Sequence, residues 1–154
     1  MTDRYGVIGH PIGHSKSPVI HRLFAAQTGE DLSYEAFDIR PEDLATRLPA
    51  LAQEGLRGFN VTVPHKETVA RLADQLTDRA HLAGAVNTVI IAADGRFDGD
   101  NTDGVGLLTD LKDNLGLQLK GARLLVLGAG GATRGIVPAL LGSGPAEFCI
   151  ANRS

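Results

Sequence analysis

Several positions in this 154-residue sequence carry side chains suited to chemistry on a carbonyl group. Phe59-Asn60-Val61-Thr62-Val63 runs into Pro64-His65-Lys66, so polar Asn60 and Thr62 alternate with apolar neighbours in a strand pattern. A strand of a parallel sheet is ordinarily apolar on both faces, and polar residues at alternate positions near its carboxyl end point to a ligand crevice. Lys66 lies just beyond, while Asn87 and Asn101-Thr102-Asp103-Gly104 add an amide and a carboxylate at two further loop or helix-start positions. A carbonyl that accepts a hydride gains negative charge on oxygen and needs a proton, which an ammonium or a neighbouring acid supplies. Lys66 and Asp103 suit that task. Asp103 either holds Lys66 charged and oriented or relays the proton itself, and the sequence leaves both roles open. Taken singly, each also reads as a surface lysine and a helix-capping aspartate.

Ser15 and Ser17, at a helix start, can bind a substrate carboxylate, with Ser17 as a simple N-cap the alternative. His10 and His14 have helical ligand spacing, but Pro11 and Gly13 break a helix there and no carboxylate is suitably placed in the sequence, so both read as loop residues and no metal site is expected. His65 can touch a substrate beside Lys66, while His21 and His81 read as helix-surface positions.

A second kind of chemistry resides in Leu124-Leu125-Val126-Leu127-Gly128-Ala129-Gly130-Gly131-Ala132-Thr133, a glycine turn between a strand and a helix. Gly128 makes the tight turn, Gly130 lets a pyrophosphate approach the backbone, and the helix amides stabilise its charge. Thr133 occupies the place of the third fingerprint glycine, and a strand-to-helix turn without ligand is the plainer reading. An NAD site places a carboxylate about 20 residues further on, whereas here the next strand ends in Asn152-Arg153-Ser154. Arg153 can pair with a 2′-phosphate, so NADP is expected over NAD; the alternative for Arg153 is a solvated strand end. Cys149 reads as a buried strand residue, since Phe148 and Ile150 offer no base.

The elements that must position these groups follow from periodicity. Tyr5 to Ile8, Ser33 to Ile39 and Gly58 to Val63 read as strands. Helices are expected from Ser17-Pro18 to Gly29, from Pro41 to Gly55 with Leu44, Leu48 and Leu51, and after Pro64 with Val69, Leu72 and Leu76 on one face. Thr88 to Ala92 and a run near Phe97 form a hairpin, and a helix with Leu108, Leu111 and Leu115 then closes at Gly116. Pro138 should kink the following helix or shift its start. The expected fold is α/β: an open, mostly parallel sheet over residues 1–101 that holds substrate, then residues 102–154 as a linking helix and the first βαβ unit of a Rossmann-like NADP-binding domain. A lone βαβ unit leaves sheet edges uncovered, so the chain is expected to be the N-terminal part of something longer.

Composition narrows the class. The hydrophobic fraction is 43% and the charged fraction 21%, which is globular rather than disordered. A net charge of -3 argues against nucleic acid, and no apolar run is long enough for a membrane. One cysteine excludes an intrachain disulfide, and with no signal core a cytoplasmic location is expected.

Tyr5-Gly6-Val7-Ile8-Gly9-His10-Pro11-Ile12, Ser15-Lys16-Ser17-Pro18, Phe59 to Lys66, Gly84-Ala85-Val86-Asn87-Thr88, Asn101-Thr102-Asp103-Gly104 and Gly128-Ala129-Gly130-Gly131-Ala132 occur in this order, and together they resemble the shikimate dehydrogenase family. The resemblance implies NADPH-dependent, reversible reduction of 3-dehydroshikimate to shikimate on the route to aromatic amino acids. It implies Ser15 and Ser17 at the substrate carboxylate, Asn60, Thr62 and Asn87 at the ring hydroxyls, and Lys66 with Asp103 at the reacting end. It also implies the cofactor on Gly128 to Thr133, with Asn152 and Arg153 at the 2′-phosphate. Members of the family continue well past Ser154. A quinate-using relative shares the substrate motifs, and a chain of this length that binds shikimate without turnover is a further alternative. Oligomeric state is left open, with a homodimer among the options.

Overall fold

Apolar runs bounded by glycine or proline alternate with amphipathic stretches, and the chain folds accordingly. The computed structural model describes residues 2–153; Met1 and Ser154, the last residue of the Asn152-Arg153-Ser154 strand end, lie outside the described residues. First come β1 (Asp3–Gly9), α1 (Ser17–Thr28), β2 (Leu32–Asp38), α2 (Leu44–Gln53, after a 3₁₀ turn) and β3 (Leu56–Val61). Then follow α3 (Lys66–Leu72), β4 (Gln75–Leu76), α4 (Asp78–Ala83), β5 (Thr88–Ile91), β6 (Phe97–Asp100) and α5 (Asp103–Thr109). β7 (Arg123–Leu127), α6 (Gly131–Gly142) and β8 (Glu147–Ala151) complete the chain. Among the described residues no helix is long and apolar enough to cross a membrane.

Six strands form one sheet in the order β2-β1-β3-β5-β6-β4. β1 is parallel to β2 and β3, and β4 to β6, while β5 runs antiparallel between β3 and β6. The fold is therefore α/β with a mostly parallel sheet, as expected. From β1 the chain steps outward to β2 and then crosses back through α2 to β3 on the other side. Connections thus diverge above the carboxyl ends of β1 and β3, where open α/β sheets bind ligands.

The core lies on one face of this sheet. Ile8, Phe59, Val61 and Val89 meet Leu44, Leu48 and Leu51 of α2 and Val69 of α3. Leu51 is completely buried. Leu51→Ala is expected to cost about 3 kcal/mol through lost transfer energy and a residual cavity, lowering Tm by roughly 6–12 °C in thermal unfolding.

Three sequence expectations change. Leu76 does not extend α3: Ala73 turns extended, and Asp74 exchanges hydrogen bonds with Phe97, which pulls Leu76 into a short strand beside β6. α4 falls outside the expected elements, although Thr77, whose hydroxyl accepts from the Ala80 N–H at 3.3 Å, and left-handed Gly84 are ordinary helix-end signals. The helix after Asp103 passes into a π-helical turn at Asp110–Asn114, where the Leu115 N–H reaches back five residues to the Asp110 carbonyl. That extra residue rotates Leu115 out to 61% exposure, off the stripe it would share with Leu108 and Leu111. α6 keeps its start at Gly131 and continues past Pro138 to Gly142, at the cost of the one backbone hydrogen bond that proline cannot donate.

β7 and β8 pair in parallel, in the register Leu124↔Phe148 and Leu125↔Cys149. A two-stranded pair shelters one face only. Leu124, Val126 and Phe148 are half-buried, whereas Leu125, Leu127 and Cys149 are exposed, so Cys149 is not the buried residue its apolar neighbours suggested.

Candidate active site

Lys66 opens α3 just beyond β3, and Asp103 opens α5 just beyond β6. Although 37 positions apart, the two side chains meet: Lys66 Nζ donates to Asp103 Oδ2 at 2.5 Å. Their side chains are 12% and 25% exposed, enough to admit a ligand and little enough to exclude most water. The second carboxylate oxygen is also engaged, because Asn87 Nδ2 donates to Asp103 Oδ1 at 2.7 Å. Asn87 Oδ1 in turn accepts from the Thr102 N–H at 2.9 Å, which fixes the amide's orientation. In the sequence Asn101 is only part of the Asn-Thr-Asp-Gly run, yet it is buried, donates to the Ala85 carbonyl at 2.9 Å and accepts from the Asp103 N–H at 3.2 Å. An ammonium and a carboxylate thus stand side by side with their orientations set by buried amides.

The sheet explains the convergence. β1, β3 and β6 point the same way and β5 starts where they end, so the segments after Gly9, Val61 and Asp100 and the one before Thr88 share a single rim. Ser15 lies in the loop above β1, and Ser17 is the first residue of α1, with Lys16 rather than Ser17 at the cap. The Ser15 hydroxyl takes part in that turn by accepting from the Ser17 N–H at 3.3 Å. Thr62 sits immediately past β3, its N–H bonded to the Ile8 carbonyl. Asn60 faces away from Phe59 and Val61, donates through Nδ2 to Thr88 Oγ1 at 3.2 Å and to the Asn87 carbonyl at 3.3 Å, and accepts from the Tyr34 hydroxyl at 2.6 Å. His65 is not at the rim. It is buried, and Nε2 donates to the Ile39 carbonyl at 2.7 Å, tying the segment after β2 to the start of α3. His10 pairs with Asp38 at 2.6 Å, and that hydrogen bond holds the Asp38 carboxyl below the usual range.

The glycine turn lies against this pair. A Cβ on Gly131, the first residue of α6, would stand 3.3 Å from Lys66 Cβ, so the helix start rests on the lysine stem. Gly128 adopts φ +105°, a backbone state that L side chains rarely enter, and its N–H reaches the Ala151 carbonyl at the end of β8. Thr133 is not a mere substitute for glycine: its hydroxyl donates to the Gly128 carbonyl at 3.0 Å and braces the turn. Ala129, Gly130 and Ala132 are exposed, and around Gly130 the space a Cβ would fill is open. Asn152 and Arg153 follow β8 on the same side as the turn, both exposed. Deeper along α6, a Cβ on Gly135 would lie 2.7 Å from Asn101 Oδ1 and 3.0 Å from Asp103 Oδ2. Two residues that sequence reading did not single out, Asn101 and Gly135, therefore support the carboxylate.

Arg79 is a third. It grips Asp100, with Nε donating to Oδ1 at 2.6 Å and a second guanidinium nitrogen donating to Oδ2, while the Thr77 hydroxyl and the Asn101 N–H donate to Oδ1. The Arg79 bond is the main reason the Asp100 carboxyl falls to about 2. A carboxyl with a depressed native pKa contributes stability above its ordinary value near 3.8, and that contribution fades as pH falls through about 2. Arg79→Ala should therefore lower stability modestly at neutral pH, with the gap from wild type closing toward pH 2 in urea titrations run across that range; the exposure of Arg79 keeps the effect small.

Residues 7–89, more than half of the chain, match the family model described as the shikimate dehydrogenase substrate binding domain. A curated shikimate dehydrogenase (NADP(+)) from Thioalkalivibrio sulfidiphilus is 58% identical over 152 residues, covering 99% of this chain and 56% of that protein. Shikimate 5-dehydrogenase from Thermus thermophilus, solved in complex with NADP(H) and shikimate, is 42% identical with a TM-score of 0.90 over 99% of this chain and 57% of its own. Shikimate dehydrogenase from Aquifex aeolicus gives a TM-score of 0.92 at 40% identity, with 99% and 56% of the two chains covered. The chain thus spans about half the length of the relatives it matches. With a mostly parallel sheet whose rim carries this pair, and with a family model matched across most of that sheet, the chain belongs to the family of the shikimate dehydrogenase substrate binding domain.

Proposed function

We propose that this chain supplies the substrate pocket and proton-transfer groups of an NADP-dependent dehydrogenase that interconverts 3-dehydroshikimate and shikimate. The observation that carries this reading is the 2.5 Å contact between Lys66 and Asp103 at the strand rim, with Gly131 against the lysine stem. Residues 1–101 hold the substrate, and residues 102–154 contribute a linking helix and a dinucleotide turn. Ser15 and Ser17 bind the carboxylate at the start of the 12-residue α1, where helix amides favour an anion. Thr62, Asn87 and Asn60 border the ring hydroxyls, Asn60 through the remaining lone pair of Oδ1.

The turn suits a dinucleotide. Gly128 bends sharply, Gly130 leaves its surroundings open, and Gly131, Ala132 and Thr133 begin α6. No carboxylate follows β8 among the described residues, and Asn152 and Arg153 suit a 2′-phosphate. A dihydronicotinamide held there would supply the hydride. As charge grows on the carbonyl oxygen, the Lys66 ammonium hydrogen-bonds to it and transfers a proton, leaving an alcohol and a neutral amine. The Asp103 carboxylate stabilises the ammonium beforehand and holds Nζ in line. In the oxidative direction the neutral amine takes the hydroxyl proton back.

Initial rates with the protein as its gene encodes it test this reading. Shikimate with NADP⁺ should be turned over well above quinate or NAD⁺, and Arg153→Ala should raise KM for NADP⁺ roughly tenfold while leaving that for NAD⁺ nearly unchanged. Calorimetric binding of shikimate without turnover would contradict a catalytic role. Equal use of quinate would contradict the substrate assignment.

A further inference from the structure

Two groups near the pair can only accept hydrogen bonds: the Asp103 carboxylate and the main-chain carbonyl of Asn87. They force the direction of every bond between them. Asn87 must turn its NH₂ toward Asp103 Oδ1, at 2.7 Å, so its carbonyl oxygen faces the Thr88 hydroxyl at 2.9 Å and the Thr102 N–H. Asn60 must turn its NH₂ toward the Asn87 carbonyl, and the same nitrogen donates to Thr88 Oγ1. Thr88 therefore gives its own hydrogen to Asn87. The Asn60 oxygen then faces Tyr34, whose hydroxyl donates at 2.6 Å.

The result is a one-way chain, Tyr34 to Asn60 to Thr88 to Asn87 to Asp103, in which each donor points toward the carboxylate. Register makes it possible. Asn60 and Thr88 are direct cross-strand partners, and Tyr34 reaches in from β2. Hydrogen-bond chains of a single sense polarise one another, so the far end strengthens the bond at the near end. We propose that Tyr34 is a positioning residue for the proton-transfer pair, acting through Asn60, Thr88 and Asn87 to hold Asp103 facing Lys66. The proposal rests on the reading of Lys66 and Asp103 given above.

Burial keeps the Tyr34 phenol well above its ordinary range, so the hydroxyl stays a donor at every working pH, and the His21 ring lies flat against the Tyr34 ring with centroids 3.9 Å apart. Burial also lowers the His21 pKa, favouring a neutral ring there. Lys66 of α3 is the charged group that faces Asp103. α6 presents Gly135 to it while pairing Arg134 with Glu67, and Asp100 at the end of β6 is occupied by Arg79.

The test is the pH dependence of kcat/KM in the gene's own product. Tyr34→Phe should lower kcat about three- to tenfold with KM for shikimate within about twofold, and should move the acidic limb up by about half a pH unit, because a chain without its first donor polarises its last one, Asn87, less strongly. Thr88→Val, one link further on, should produce the same shift, and Thr88→Ser, which keeps the hydroxyl, should restore the wild-type limb. If Tyr34→Phe does not fold, the Thr88 pair decides the matter. Profiles that superimpose on wild type, with or without a lower Tm, would overturn the proposal. Asp103→Asn separates the two levels: if it is inactive while the Tyr34 and Thr88 profiles stay unmoved, only the positioning role fails, whereas full activity in Asp103→Asn removes the reading beneath it.

Discussion

Lys66→Met is expected to reduce kcat by about 10²–10⁴, the range associated with loss of a positioned general acid–base, while the protein stays folded. Methionine keeps most of the aliphatic stem, including the Cβ that rests against Gly131, and deletes the ammonium. The effect should fall mainly on kcat. A group that hydrogen-bonds the substrate oxygen more strongly as charge develops acts on the transition state, so kcat and kcat/KM should drop together. Asp103→Asn should fall in the same range, since it leaves Lys66 without its counter-charge at a rim where both side chains are largely shielded. The double variant should be little worse than either single one, because the residues act as a unit. A Lys66→Met protein in which only KM rises, with kcat within about threefold of wild type, would make Lys66 a binding group rather than the proton donor.

Gly135→Val should be nearly as damaging, from a position that need never touch substrate. Any Cβ at residue 135 would come 2.7 Å from Asn101 Oδ1, 2.9 Å from Asn101 Nδ2 and 3.0 Å from Asp103 Oδ2. Asn101 has nowhere to retreat: it is 2% exposed and bonded to the Ala85 carbonyl. The opposing helix is equally close, since a Cβ on Gly104 would lie 2.7 Å from Ala139 Cβ and 2.9 Å from the Gly135 carbonyl. Overpacking this crossing should cost about 1–3 kcal/mol in denaturant unfolding. Displacing Asp103 by even ~1 Å should cost about 10²-fold in kcat. Gly106→Ala, on α5 where nothing lies within 4 Å of the added carbon, is the control. It should raise stability by about 0.5–1 kcal/mol through helix propensity and leave the kinetics unaltered.

Much of the sheet, and Lys66 and Asp103 as candidates, were readable from the sequence, because both depend on short-range signals. β2 falls on Leu32–Asp38, within a residue of the Ser33 to Ile39 strand expected from periodicity, and α1 ends at left-handed Gly29 as expected of a C-terminal glycine. Lys66 stood out because it follows Asn60 and Thr62, polar residues at alternate positions of a strand that a parallel sheet would ordinarily keep apolar, and Asp103 because it brings a carboxylate to a helix start. Tyr34 and Gly135, unlike Asn87, were invisible for a different reason. Tyr34 belongs to the chain only through the register that sets Asn60 opposite Thr88, and a one-residue slip would turn it to the other face. Gly135 reads as an ordinary helical glycine until α5 and α6 cross at backbone distance. His65, beside Lys66 in sequence, points into the core because consecutive residues at a helix start leave in different directions. A steady 3.6-residue period misplaces Leu115, because the π-helical turn interrupts it.

A crystal structure of the protein with shikimate bound is the most direct measurement of whether ammonium and carboxylate act on one substrate atom. The expected result is a ring hydroxyl about 2.6–3.2 Å from Lys66 Nζ or Asp103 Oδ2, with the carbon that bears it facing the Gly131 side of the pocket and the carboxylate at Ser15 and Ser17. Shikimate seated elsewhere, with no oxygen within hydrogen-bonding reach of either group, would contradict it.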